Sequence, residues 1–161
     1  MSDALKQARL DKLKTLREMG VDPYPARVPE SETIGPINER FATLANEEHS
    51  GQFYTVSGRL MAHRGMGKAS FLDVLDGTGK IQAYATLDKL GEAYALLSHI
   101  DVGDFVSVTG EVFRTKRGQL SIAVDQRPEQ GDQPAVTLHT CHGAVPRDAN
   151  RYPTRFVLGR R

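Results

Sequence analysis

The pattern of hydrophobic and polar residues divides the chain into a helical start, a strand-rich middle and an irregular end. Apolar side chains recur at every third or fourth position over residues 3–19, which predicts an amphipathic helix that Gly20 ends. A second helix is predicted from Thr33, with Pro36 in its first turn. From Phe53 onward the period changes to two, which is the period of strands.

Strands and one further helix are predicted in the middle of the chain, in the order three strands, one helix, two strands. The predicted strands are residues 53–61, 69–75, 80–86, 105–114 and 119–124, and the helix is 88–98, capped by Asp88. Gly110 is expected to mark a bend or bulge in the fourth strand. This order predicts a mainly β fold with α elements: a five-stranded OB-fold barrel, with a helix between strands three and four and helices before it.

The elements divide the 161 residues into three predicted segments. These are a helical extension (1–51), the barrel (52–125) and a tail (126–161). The tail holds half of the eight prolines, six arginines and no lysine, and it has no sustained hydrophobic period, so we expect it to be loosely ordered. A short strand at 136–138 is the one element that its pattern suggests, and we expect the barrel to survive a cut near Gln126.

Composition excludes several classes of protein. With 21 Lys and Arg against 20 Asp and Glu, the net charge of +1 excludes both a histone-like basic tail and an acidic disordered chain. The single cysteine, Cys141, excludes an intramolecular disulfide and a four-cysteine zinc site. No apolar run approaches the ~20 residues that cross a membrane, and the N-terminus lacks the apolar core of a signal peptide. We therefore expect a cytoplasmic protein with no membrane partner.

Positive charge is concentrated in two stretches that contain no acidic residue. They lie between positions 49 and 72, with Arg59, Arg64 and Lys68, and between 112 and 124, with Arg114, Lys116 and Arg117. In an OB barrel the second and third strands, together with the loop between the first two, face the ligand. This loop, residues 63–68, is basic, and Phe71 follows it.

A cation beside an exposed aromatic ring is typical of proteins that bind single-stranded nucleic acid, because the charge meets phosphate and the ring stacks on a base. Gln82, on the adjacent predicted strand, offers a donor and an acceptor to a base edge. A phenylalanine in a strand is also a common core residue, so the pattern alone leaves two interpretations of Phe71 open.

Other candidate chemistry is weaker. The run Gly65-Met66-Gly67-Lys68 does not open a helix, so it is not a phosphate-binding P-loop. His139, Cys141 and His142 are close in sequence, but zinc takes four ligands and there is no second cluster. Five scattered histidines support no serine–histidine–acid arrangement. We therefore predict no catalytic residue, no metal site and no cofactor.

Three runs of the sequence together resemble a known family. They are LDKLKTLREMGVDPYPARV, VSGRLMAHRGMGKASFLDVLDGTGKIQAY and DVGDFVSVTGEVFRTKRGQLSI, which occur in this order. The sequence resembles the N-terminal anticodon-binding domain of class II lysyl-tRNA synthetases over roughly residues 8–125. Aspartyl- and asparaginyl-tRNA synthetases carry the same kind of barrel, but this combination is more similar to the lysine enzyme.

The resemblance implies a partner, the anticodon arm of lysine tRNA, and roles for individual residues. Phe71 would stack on an anticodon base, and Arg64 and Gln82 would read the central uridine. Gln119 stands where the family usually has glutamate, and an amide oxygen accepts a hydrogen bond less strongly than a carboxylate. The remaining residues expected to contact nucleic acid are Arg59, Lys68, Arg114 and Lys116.

The family's catalytic motifs have no counterpart in the tail. Nothing in residues 126–161 resembles the class II motifs that form the ATP and lysine sites. We therefore expect this chain alone to bind tRNA without catalysing its aminoacylation. Two alternatives stay open: a truncated or frameshifted lysine–tRNA ligase, and a general single-strand-binding OB protein. Association with a synthetase and self-association also stay open.

Overall fold

The computed structural model describes residues 3–20, 30–125 and 136–139. Two helices come first, α1 (Asp3–Glu18) and α2 (Ile34–Arg40). They are followed by β1 (His49–Met66), β2 (Ala69–Leu75), β3 (Lys80–Thr86), α3 (Leu87–Leu90), a 3₁₀ helix (Gly91–His99), β4 (Phe105–Arg114), β5 (Leu120–Val124) and β6 (Val136–His139). The order of three strands, a helical segment and two strands confirms the predicted fold class.

Within the described residues, five strands close a ring of hydrogen-bonded pairs in the order β1–β2–β3–β5–β4, with β4 returning to β1. All of these pairs are antiparallel except β3–β5, which is parallel. Strand β6 pairs with the first residues of β4, along the edge that β5 leaves free, and Val136 is 2% exposed. The sequence suggested this short strand, and the structure places it against the ring.

The alternation along β2 and β3 separates a core face from an outer face. Leu72 and Ala83 are fully buried inside, while Phe71 and Gln82 lie on the opposite, partly exposed face. The fully buried large side chains of the core come from the helices as well as the strands: Leu16, Ile34, Ile37, Leu60, Leu72, Ile81, Leu96, Leu97 and Ile122. The outer face of β2 and β3 is therefore partly exposed.

Strand β1 is longer than the predicted 53–61, because it pairs with two neighbours. Its first part pairs with β4 from His49 onward, and its second part pairs with β2 as far as Met66. A register shift between Leu60 and Ala62 marks the change of direction. The polar residues at both ends are held by cross-strand hydrogen bonds rather than by apolar burial, so alternation did not reveal them.

The helix predicted at 88–98 is an α-helix for one turn only. Thr86, not Asp88, is the N-cap residue, and its side chain makes no capping bond. Gly91 has φ +54, which ends the α-helix, and the chain continues as a 3₁₀ helix. This segment still contributes to the core, because Leu96 and Leu97 are buried in it.

Gly110 is needed for close approach rather than for a bulge. Strand β4 pairs with β1 and β5 without a register shift at this position, so the predicted bulge is wrong. A Cβ atom on Gly110 would clash with the carbonyl oxygen of Ala123 on β5. Only glycine allows the two backbones to come this close.

Helix α2 is capped from the turn between β2 and β3. Thr33 is its N-cap residue but makes no side-chain capping bond. Instead, the Ile34 amide donates to Asp76 (2.8 Å) and the Gly35 amide donates to the Thr78 hydroxyl (2.8 Å). Partial burial raises the pKa of Asp76, but hydrogen bonds from the backbone and from Thr78 outweigh it, so its pKa falls below the usual value.

We expect Asp76→Asn to destabilise the fold by about 1–2 kcal/mol at neutral pH, because the cap and the turn lose a charged acceptor. The pKa of Asp76 is lowered by folding, so its contribution is present above the unfolded-state pKa and is lost as pH falls through the folded-state value. Urea unfolding should show a difference between wild type and variant that is full at neutral pH, begins to shrink below about pH 4 and vanishes only once the pH lies below the folded-state pKa of Asp76. Asp88→Asn, at an exposed carboxylate, is the control; a difference that persists in acid would contradict this role.

Helix α1 is attached to the ring by its second half. Leu16 is fully buried, and Lys12 forms an ion pair of 2.6 Å with Asp101 in the loop before β4. Leu5 and Leu10 are about half exposed. Among the described residues, no helix has both the length and the apolar character needed to cross a membrane.

Candidate nucleic-acid interface

Phe71 lies on the outer face of the ring, near the middle of β2. In register, its neighbours are Arg64 on β1 and Tyr84 on β3. Its ring is half-buried and lies 4.9 Å from the ring of Tyr84, between centroids. The adjacent residue Leu72 fills the core, so the two side chains point to opposite faces. Phe71 thus lies outside the core, on the partly exposed face of β2.

Phe71 belongs to a row of rings, the aromatic row: Phe71, Tyr84, Phe113 and His49. The ring centroids of Tyr84 and Phe113 are 6.3 Å apart, and Phe113 is stacked on His49 at 5.1 Å. Strand β5 runs between Tyr84 and Phe113 and presents only a serine and an alanine on this face. The row therefore spans three strands and the start of β1.

Sequence reasoning missed the last three members of the aromatic row. Tyr84, Phe113 and His49 were not among the residues predicted from the sequence to contact nucleic acid. Tyr84 and Phe113 come close together because β3 and β4 lie on either side of β5, whose side chains on this face are short. This strand order is a feature of the tertiary structure. One signal was available in the sequence: Phe71 and Tyr84 each stand at the alternate positions of their strand that also hold polar residues, which places them on the outer face.

Arg64 lies on the same face as the aromatic row and is paired with an acidic residue. Its Nη2 is 3.0 Å from Asp73 Oδ1 and its Nη1 is 3.5 Å from Oδ2. Lys80 Nζ lies 3.9 Å from the same carboxylate. The acid-free stretch of sequence around Arg64 is thus not acid-free in space, because β2 brings Asp73 alongside.

Gln82 is the register neighbour of Asp73, two pairs along from the Phe71–Tyr84 pair, which makes it the next pair on the same face. Its Oε1 accepts a hydrogen bond of 3.1 Å from the Ser121 hydroxyl on β5. That bond holds the amide plane and leaves its NH₂ group without a partner among the described residues. Gln82 is therefore placed to donate to a ligand on the outer face.

Two of the lysines expected to contact nucleic acid lie in turns at opposite ends of this face. Lys68 is in the β1–β2 turn, beside Gly67 with φ +66, and Lys116 is in the β4–β5 turn. Both are exposed, and neither forms an ion pair with a residue that the structure describes. Gln119 is exposed at the end of the second turn, and its Nε2 donates to the Leu120 carbonyl (3.3 Å).

The β1–β2 turn is held by hydrogen bonds that involve the side chains of Tyr94, Ser70 and His63. The Tyr94 hydroxyl donates to the Gly67 carbonyl (3.1 Å) and lies 3.0 Å from the Ser70 hydroxyl. His63 Nε2 is 3.4 Å from the Ser70 hydroxyl, and burial lowers the pKa of His63. The turn that carries Lys68 is thereby joined to the 3₁₀ helix.

The structure does not bring Arg59 to the aromatic row. It lies opposite the end of β2, four residues beyond Phe71, which is about 13 Å along a strand. Its Nη1 donates to the Gly103 carbonyl (2.9 Å), and its guanidinium stacks 4.6 Å from the Phe105 ring. These contacts attach β1 to the loop before β4.

Arg114 is also held by contacts within the fold. Its guanidinium donates to the carbonyls of Gly118 (2.7 Å), Phe41 (3.0 Å) and Ala42 (2.9 Å). The carbonyls of Phe41 and Ala42 lie just after α2, so Arg114 joins that helix end to the β4–β5 hairpin. The basic stretch around Arg114 thus combines a side chain engaged in the fold with the exposed Lys116.

The described residues contain no group of three or more histidine, cysteine, aspartate or glutamate side chains that could hold a metal ion. The side chains of His139, Cys141 and His142, weighed above as ligands, lie outside the described residues.

A closed ring of five strands in this order is the architecture of an OB fold. Residues 54–127 match the tRNA anti-codon family, described as an OB-fold nucleic acid binding domain, and they belong to it. More particularly, this part of the chain is homologous to the N-terminal anticodon-binding domain of lysine–tRNA ligases.

Three relatives show the extent of the similarity. The chain is 40% identical to the lysine–tRNA ligase of Carboxydothermus hydrogenoformans over 119 residues, which are 73% of this chain and 23% of that protein. It is 42% identical to the ligase of Moorella thermoacetica over 123 residues, 76% of this chain and 24% of the other. It is 38% identical to the ligase of Pelotomaculum thermopropionicum over 122 residues, which are 75% of this chain and 23% of that protein. The chain thus spans about a quarter of the length of these relatives.

Proposed function

We propose that this chain binds the anticodon arm of lysine tRNA in the cytoplasm, through the outer face of residues 52–125. The single observation that supports this most strongly is the position of Phe71: a half-buried ring on the outer face, in register with Arg64 and two pairs from Gln82, on the same face. Unpaired anticodon bases are recognised by stacking on aromatic side chains and by hydrogen bonds to their edges, and this face offers both.

Each residue has a distinct role in the proposal. Phe71 stacks on one base, and Tyr84 supports its ring from the neighbouring strand. Gln82 donates from its free NH₂ group to a carbonyl oxygen of the central uridine, while Ser121 holds the other end of the amide. Lys68 and Lys116 attract phosphates at the two ends of the face.

Replacing Gln82 by alanine tests base reading. We expect the preference for a central uridine over a central cytidine to fall by about tenfold, because a base edge loses its partner while stacking remains. Affinities of two anticodon stem-loop RNAs that differ only at this base should be measured for the wild type and the variant. Gln7→Ala, at an exposed amide on α1, is the matched control.

A smaller affinity of Gln82→Ala for both RNAs, with an unchanged ratio, would contradict base reading by this residue. Equal affinity of the wild type for the two RNAs would favour the alternative, a general single-strand-binding OB domain. Because stacking tolerates every base, that alternative predicts binding without preference.

We further propose that the 161-residue chain, tested alone, does not activate lysine. The ligases to which it is similar are about four times as long as the matched part, and the matched part is the anticodon-binding domain. Lysine-dependent ATP–pyrophosphate exchange by the purified chain should stay at the level of a no-protein sample. Exchange above that level, from a preparation free of host ligase, would contradict this proposal.

A further inference from the structure

An acidic side chain, Asp73, lies in the middle of the basic and aromatic outer face, directly beside Gln82. Arg64 approaches its two oxygens at 3.0 and 3.5 Å, and Lys80 approaches at 3.9 Å. The Asp73 side chain is 15% exposed, whereas that of Arg64 is 52% exposed. The carboxylate is thus largely covered, and the guanidinium still reaches solvent.

This geometry disfavours a phosphate at Arg64. A phosphate placed against the guanidinium would lie close to the Asp73 carboxylate and be repelled by it. A neutral base edge suffers no such repulsion. The forked contact also fixes the plane of the guanidinium, and its remaining N–H groups stay available for acceptors on a base.

Resting on the proposed function, we infer that Asp73 is a positioning residue that makes Arg64 read a base edge instead of the RNA backbone. It holds the guanidinium beside Phe71 and Gln82 and keeps phosphates away from it. A purely structural ion pair would behave differently, because an exposed pair adds little to stability and has no influence on which RNA is bound.

The test is Asp73→Asn, measured with two anticodon stem-loop RNAs that carry a central uridine or a central cytidine. We expect the uridine preference to fall by about tenfold, because Arg64 loses its fixed orientation. At the same time the salt dependence of binding should steepen by about 0.7 in the log–log slope, because Arg64 becomes free to contact a phosphate. Lost discrimination together with a steeper salt slope is the signature of this role.

Asp101→Asn is the matched control. It removes the same charge and breaks an ion pair of 2.6 Å with Lys12, which lies on α1 and not on the outer face. We expect its uridine preference to equal that of the wild type. Asp73→Glu keeps the charge and should keep the wild-type salt slope, while Asp73→Ser gives the same two readouts should the asparagine variant melt early.

Each outcome decides the inference. Equal preference and equal salt slope in Asp73→Asn and Asp101→Asn would overturn the role of Asp73 while leaving anticodon binding intact. A wild type that binds neither RNA, or that shows no preference for uridine, would overturn the proposed function and this inference with it. A lower preference without a steeper slope would overturn the exclusion of phosphate.

Discussion

Phe71→Ala should weaken binding of the lysine anticodon stem-loop by about 5- to 150-fold, the loss expected when one stacked base loses its aromatic platform. The loss should be similar for stem-loops with a swapped central base, because stacking does not depend on base identity. The fold should persist, since this ring is only half-buried and lies on the outer face. Titration by fluorescence anisotropy and thermal melting on the same sample give both quantities.

Phe105→Ala is the matched control for this experiment. Phe105 is also half-buried, and its ring packs on Arg59 away from the aromatic row. The control should bind the stem-loop like the wild type. Unchanged RNA affinity in Phe71→Ala, with an unchanged melting temperature, would contradict the stacking role of this residue.

Leu72→Ala, one position further along β2, should have the opposite effect. Leu72 is fully buried in the core, so truncation should cost about 2–5 kcal/mol of unfolding free energy through lost burial and the cavity left behind. RNA affinity of the remaining folded protein should change little, because the side chain does not reach the outer face. Urea unfolding measures the first effect, and titration well below the melting temperature measures the second.

Phe71→Ala and Leu72→Ala together test whether Phe71 lies on the outer face and Leu72 in the core. A stability loss above 2 kcal/mol in Phe71→Ala, or a stability loss in Leu72→Ala no larger than that of an exposed position, would contradict this placement.

Much of the fold was accessible from the sequence because the signals for β2 and β3 are local. Alternation of apolar and polar residues gave both strands, and the turn after Leu75 gave their connection. The ends of β1 were not accessible, since hydrogen bonds to β4 and β2 define them. The role of Asp76 also depends on a distant segment: its acceptor oxygens cap a helix that starts 42 residues earlier.

The candidate site was predicted in part for the same reason. Phe71 and Gln82 could be chosen from their strands, whereas the partner of Arg64 depends on the register between β1 and β2, which sequence patterning does not determine. The contacts of Arg114 could not be predicted from charge alone either, because its three carbonyl partners come from the hairpin and from the end of α2. Which cations are engaged in the fold is decided by tertiary contacts.

The most direct measurement of the central claim is a competition between lysine tRNA and the same tRNA with a swapped anticodon for the wild-type chain. If the outer face reads the anticodon, lysine tRNA should displace the competitor that carries the swapped anticodon. Its affinity should be higher than that of the competitor by about tenfold or more at a fixed salt concentration. Equal affinity for the two tRNAs would contradict anticodon reading.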